Sequence, residues 1–122
     1  MATRAELMQQ VLRTLVSTTP DVEGAAMVTI DGLPLASALP SGVDEDRVSA
    51  MAAAVLSLGE RTADELRRGT LKQVYVKGSE GYVILMQTGK DAVLQAIVGP
   101  AGKLGMVLLD LKRAAQELAR LV

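Results

Sequence analysis

From Val48 to Gly59 the chain runs without a single charged residue, and this stretch lies inside a longer segment, Asp44 to Gly69, marked as a helix at both ends. Asp44 can cap the N-terminus, Glu45 and Asp46 set negative charge in the first turn, and Arg67 and Arg68 set positive charge in the last. Gly69 offers the left-handed stop that follows many helices. Val48, Met51, Ala52, Val55, Leu58, Thr62 and Leu66 recur at three- and four-residue spacing, the stripe by which a helix lies on a core. A second set, Ala50, Ala53, Ala54, Leu56, Ser57 and Ala63 with Gly59 beside it, is small and largely apolar where a surface helix carries charge. Either the helix is buried all round inside its own domain, or one face meets a partner. A chain of 122 residues has few elements left to cover a second face, so a partner surface is expected.

Composition narrows the chemistry. The length fits one domain, 1–122, able to bury a core without staples. Hydrophobic residues make up 49% with a mean hydropathy of +0.27, consistent with a chain that hides extra surface in an oligomer. There is no Cys, which excludes disulfides, thiolate metal sites and cysteine nucleophiles. There is no His, which removes the central residue of Ser-His-Asp triads, of most neutral-pH proton transfer and of common zinc sites. The chain therefore reads as a non-enzyme without metal or cofactor. With Lys+Arg 13 against Asp+Glu 14, no excess positive field holds a phosphate backbone, and two tyrosines are too few for base stacking. Glu6, Gln9 and Gln10 stand where a signal peptide needs an apolar run, and no stretch has the length and apolarity of a membrane span, so a cytoplasmic location is expected.

In chain order, Thr3 to Glu6 has capping-box spacing, and Leu7, Met8, Val11, Leu12 and Leu15 form a helical stripe that ends by Thr19, before Pro20. After polar Asp21–Gly24, the runs Ala25–Ile30 and Leu33–Ala38 flank Asp31-Gly32, which predicts a hairpin with a two-residue primed turn. Pro34 cannot donate to a ladder, so this second strand belongs at a sheet edge. Beyond Gly69 the period becomes that of strands: Leu71–Lys77, Tyr82–Thr88 and Ala92–Val98, an antiparallel meander whose first strand, with Lys72, Gln73 and Lys77, reads as an edge. Leu104, Val107, Leu108, Leu111, Ala115 and Leu118 mark a closing helix. The order is α-β-β-α-β-β-β-α, an α+β chain.

Local patterns that invite a chemical reading have plainer ones. Gly99-Pro-Ala-Gly-Lys103 has two residues between its glycines where a phosphate loop has four, and Leu104 stands in place of the magnesium-binding hydroxyl; it reads as a strand-to-helix turn. Asp44-Glu45-Asp46 lacks the alternating ligands of a calcium loop and reads as helix N-terminal charge. Arg67, Arg68 and Lys72 read as dipole compensation, with a docking patch for an acidic partner as the alternative. Tyr82, after Gly81, reads as packing over the turn.

The residues also converge on a known pattern. Gly24-Ala-Ala-Met-Val-Thr-Ile-Asp-Gly-Leu-Pro-Leu-Ala-Ser37, the Ala-rich helix closing in Leu58-Gly-Glu-Arg61, and Val76-Lys-Gly-Ser-Glu-Gly-Tyr-Val83 resemble the roadblock family, the dynein light-chain roadblock type known in bacteria as small regulators of Ras-like GTPases. Asp91-Ala-Val-Leu94 and the final Leu104-Gly105 helix are similar too, so the likeness spans almost the whole chain.

The resemblance implies a roadblock or profilin-like sandwich: a five-stranded antiparallel sheet with the long helix on one face and both terminal helices on the other. It implies that two copies pack their long helices antiparallel and join edge strands, with Ala50, Ala53, Ala54, Ser57, Leu71, Gln73 and Tyr75 as the expected homodimer interface. Arg61, Arg67 and Arg68 are the candidate partner surface. The function it implies is that of a bacterial cytoplasmic adaptor that binds and regulates a small Ras-like GTPase, without nucleic-acid partner or membrane insertion. The alternative is a structural subunit that docks on a larger complex with no GTPase nearby.

Overall fold

The computed structural model describes all 122 residues. Helix α1 (Arg4–Thr18) opens on the expected reciprocal cap: the Glu6 amide donates to the Thr3 hydroxyl at 3.1 Å, and the Thr3 amide donates to the Glu6 carboxylate at 3.2 Å. Hydrogen bonding from Thr3 to the carboxylate, from its backbone amide first and its hydroxyl second, holds the Glu6 carboxyl below its usual pKa. Strands β1 (Val22–Thr29) and β2 (Pro34–Ala38) form the hairpin, α2 (Glu45–Glu65) is the long helix, and β3 (Gln73–Gly78), β4 (Gly81–Thr88) and β5 (Ala92–Val98) form the meander before α3 (Leu104–Ala119). All pairings are antiparallel, in the order β2-β1-β5-β4-β3. The Pro34 strand is thus one edge and β3 the other, as their sequences predict.

The sheet carries two unequal cores. Between sheet and terminal helices lie 18 buried residues, among them Leu12, Met27, Ile84, Leu94, Leu111 and Leu118. Under α2 there are only six: Ala26, Val28, Ala52, Leu56, Leu85 and Val93. The terminal helices therefore hold most of the apolar burial, and α2 rests on a thin layer with much of its circumference uncovered. Thr88, fully buried on β4, donates its hydroxyl to the Ala115 carbonyl at 2.6 Å and ties the sheet to α3.

Local details differ from the sequence expectation. Strand β1 starts at Val22 rather than Ala25, because Val22 pairs with Val98 across a bulge and the neighbouring strand recruits a locally polar segment. Strand β3 starts two residues after Leu71, whose side chain instead packs up against α2 at Gly59. The hairpin turn has three residues, Ile30, Asp31 and Gly32: the Gly32 amide donates to the Thr29 carbonyl at 3.0 Å and the Thr29 amide to the Leu33 carbonyl at 2.8 Å. Only Gly32 is left-handed there, so the expected two-residue turn is not formed.

The end of α2 is the sharpest departure. The Arg67 amide donates to the Asp64 carbonyl at 3.1 Å and the Arg68 amide reaches back to the Ala63 carbonyl at 2.7 Å, the paired bonds of a Schellman cap. The left-handed residue of that cap is Arg67, at φ 56°, not Gly69. A side chain in this region costs roughly 1–2 kcal/mol, of which glycine's greater unfolded freedom offsets a part. Arg67→Gly is therefore expected to raise unfolding stability by about 0.5–1 kcal/mol, read from urea midpoints at unchanged m-value.

Candidate interaction surface

The two sheet edges are treated oppositely. On β2, Pro34 has no amide hydrogen, and the Gln9 side chain of α1 satisfies both outward groups of Ser37: its carbonyl accepts from the Ser37 amide at 3.2 Å and its amide donates to the Ser37 carbonyl. The Ser37 hydroxyl bonds the Glu45 carboxylate at the start of α2, so this edge is clamped by both helices. On β3, which pairs only with β4, the outer backbone groups have no partner strand. A row of unpaired amides and carbonyls is a template for another strand. Gln9 is a contribution that sequence reading missed, since nothing local marks a helical glutamine as the plug for a strand 28 residues away.

Helix α2 shows its faces by what it touches. A Cβ on Gly59 would lie 3.0 Å from the Val74 side chain and 3.2 Å from Leu71, so this side leans on β3. A Cβ on Gly32 would lie 3.5 Å from that of Ala53, so the opposite side leans on the β1–β2 turn. Val48, Ser49, Ala52 and Leu56 are the buried residues of α2, and Ala52 and Leu56 belong to the thin core. At about 100° per residue, Met51, Val55, Leu58, Thr62 and Leu66 fall towards β3, with Ala50, Ala54 and Arg61 outward.

This corrects the sorting of faces. Met51, Leu58 and Leu66, assigned to the core stripe by periodicity, are 53%, 61% and 62% exposed, whereas Leu56, placed with the small second set, is buried. The helix rests on the sheet through Val48, Ser49, Ala52 and Leu56 and leaves three of its long apolar side chains outside. Of the expected interface residues, Ala50, Ala54 and Ser57 are exposed, Ala53 is half-buried beside the hairpin turn, and Leu71 is half-buried beneath α2. Gln73 and Tyr75 lie on the sheet face opposite α2, where the Tyr75 hydroxyl donates to the Gln73 side chain. Val76, on the α2 face of the free edge, is 48% exposed. The outward flank of α2 and the open edge of β3 thus adjoin, and together they carry part of the apolar surface that neither core uses, the rest lying chiefly at Leu33 beside the hairpin turn and at Leu104, Met106 and Leu109 of α3.

Charged candidates surround this surface. Arg61, Arg67 and Arg68 are exposed, and the Arg68 guanidinium donates to the Leu66 carbonyl at 3.0 Å, so it serves its own helix end. None of the three is ion-paired; the one salt bridge of the chain is Arg113–Asp110 at 3.6 Å. The Asp44 carboxylate accepts from the amides of Asp46 and Arg47 at 3.0 and 3.3 Å, the helix-cap role read from sequence. In the Gly99–Lys103 turn a Cβ on Gly102 would lie 2.5 Å from Val98, and the Gly102 amide donates to the Gly99 carbonyl at 3.1 Å, so the turn closes on itself. Tyr82 is half-buried over that turn, its hydroxyl donating to the Gly102 carbonyl at 3.4 Å. Burial, then the Asp21 charge, raises its pKa above the usual phenol value, so it stays a neutral donor at pH 7.

Five antiparallel strands in this order, one helix on one face and two on the other, define a roadblock and profilin-like α+β sandwich. The chain belongs to the Roadblock/LC7 family, whose domain description matches residues 8–98. The uncharacterized protein MJ1340 of Methanocaldococcus jannaschii is 36% identical over 100 residues, 82% of this chain and 87% of that protein. Among solved structures, MglB with a tetrameric arrangement superposes with a TM-score of 0.90 at 22% identity, covering 99% of this chain and 91% of the other. Acanthamoeba castellanii profilin II superposes at 0.66 with 20% identity, covering 93% and 97%. No helix of the chain is long and apolar enough to cross a membrane.

Proposed function

We propose that this chain is a non-catalytic cytoplasmic adaptor that forms a homodimer through β3 and the adjoining flank of α2, and that the paired α2 helices bind and regulate a small Ras-like GTPase. One observation carries the reading: Met51, Leu58 and Leu66 are exposed beside a sheet edge with no partner strand, while the other edge is closed by Gln9 and Pro34. A two-fold contact through β3 covers the apolar flank and the free backbone groups together, and being self-complementary it closes at two copies. Of the interface expected from sequence, Gln73 and Tyr75 lie on the open strand itself, Ala50, Ala54 and Ser57 are exposed on the outward and hairpin-side faces of α2, away from this contact, and Ala53 and Leu71 are half-buried within the chain. Ala50, Ala54 and Arg61 face outward along the helix and, with Arg67 and Arg68 at its end, form the surface offered to the GTPase.

Membership of the roadblock family, which includes regulators of Ras-like GTPases, supports the role as regulator. Immobilised protein is expected to capture a small GTPase in one nucleotide state, GTP-analogue or GDP, at least about tenfold better than in the other, a difference of about 1.4 kcal/mol. Capture that ignores the nucleotide, or no GTPase captured, would point instead to a structural subunit of a larger complex.

A further inference from the structure

Resting on the homodimer reading above, we infer that an ion pair between Arg47 of one copy and Glu65 of the other fixes the antiparallel register of the two α2 helices. Along the β3-facing flank, Met51, Val55, Leu58, Thr62 and Glu65 follow one another at alternating four- and three-residue steps, the spacing of a two-helix seam, while Val48 one step earlier is buried in its own chain. The seam is asymmetric: its first three positions are apolar and its last two are polar. Laid parallel, identical residues face each other, and Glu65 meets Glu65 while Arg47, flanking Val48, meets Arg47. Laid antiparallel, Val55 faces Leu58 and Met51 faces Thr62, and Glu65 falls level with the turn that carries Arg47, which brings the exposed Arg47 guanidinium to the Glu65 carboxylate at both ends of the seam.

Three further features agree with this arrangement. Both side chains are exposed and neither is ion-paired within its own chain, although Arg61 stands one turn before Glu65. Arg47 and Glu65 are about 27 Å apart along one helix, so any pairing between them joins two chains. Residue 56 lies midway between them, and α2 leans on β3 at nearby Gly59, so one two-fold axis near that point serves both the helix seam and the strand edge. Sliding the helices so that Ala54 faces Ala54 would set Arg47 against Arg61, a like-charge contact at both ends that penalises this alternative register.

The test is the dimer dissociation constant, by sedimentation equilibrium, of the full chain and of Arg47→Glu, Glu65→Arg and the double variant. Each single substitution replaces two attractions with two repulsions per dimer and is expected to weaken association by at least about tenfold. The double variant restores opposite charge in the antiparallel register and is expected to return within about threefold of the unmodified chain; in a parallel pair it would restore nothing. Unchanged single variants, or a double variant no better than either, would overturn the ion pair while Leu58→Glu still yields monomer and keeps the dimer reading. An unmodified chain that is monomeric would instead overturn the dimer reading itself.

Discussion

Leu58→Glu is expected to convert the proposed dimer to monomer while leaving the monomer as stable as before. Leu58 is 61% exposed in the single chain, so its own fold gains little from it and a charge there meets water. In the proposed dimer it lies in the middle layer of the α2 seam, opposite Val55, and two-fold symmetry counts every change twice. Losing two leucine burials removes about 2 kcal/mol, and desolvating two carboxylates without a cation adds several more. A net loss of about 4 kcal/mol raises the dissociation constant roughly a thousandfold, enough to separate monomer from dimer by light scattering at micromolar protein. The melting curve of the monomer discriminates this from damage to the fold: glutamate at Leu56, buried at 4% exposure two residues away, would unfold the chain, whereas at Leu58 it would not.

That contrast also shows what the sequence could and could not convey. Element order, both edge strands and the caps at Thr3 and Asp44 follow from spacing and turn chemistry that act locally, and all appear in the structure. The phase of α2 is different, because a helix apolar on most of its circumference has no polar stripe to mark its outside. Size was the remaining guide, and it misled: Ser49 and Ala52 face the sheet so that the backbone can approach it, and Met51 and Leu58 are left outside. The candidate surface was legible as a place but not as a set of atoms. Its composition depends on where Gly59 meets Val74 and where the β1–β2 turn meets Ala53, contacts between segments far apart in the chain. The cap at Arg67 was illegible for a related reason: Gly69 satisfied the local rule, and the carbonyls of Ala63 and Asp64 were claimed two residues earlier. A left-handed arginine there keeps a positive charge at the end of the helix at a cost in stability.

Gly81→Ala is expected to destabilise the chain by about 4 kcal/mol, a large share of the roughly 5–15 kcal/mol that holds a domain of this kind. Gly81 opens β4 at φ 137°, a backbone region open to glycine and strained for any side chain by roughly 1–3 kcal/mol. A Cβ there would also lie 2.3 Å from the Val98 carbonyl oxygen, and that oxygen belongs to the backbone of the adjacent strand β5, so relief requires the two strands to part. Overpacking of this kind adds roughly 1–3 kcal/mol. Gly105→Ala is the matched control, since nothing lies within 4 Å of its Cβ position and it sits in α3, where alanine is the better helix former. Urea unfolding of the two variants should therefore move in opposite directions. The functional consequence runs through β3, whose register against β4 begins at the Gly78–Gly81 pair and which has no second neighbour in the single chain. Loosening that pair frees the strand that the proposed dimer contact requires, so Gly81→Ala should weaken association even under conditions where most of the chain remains folded.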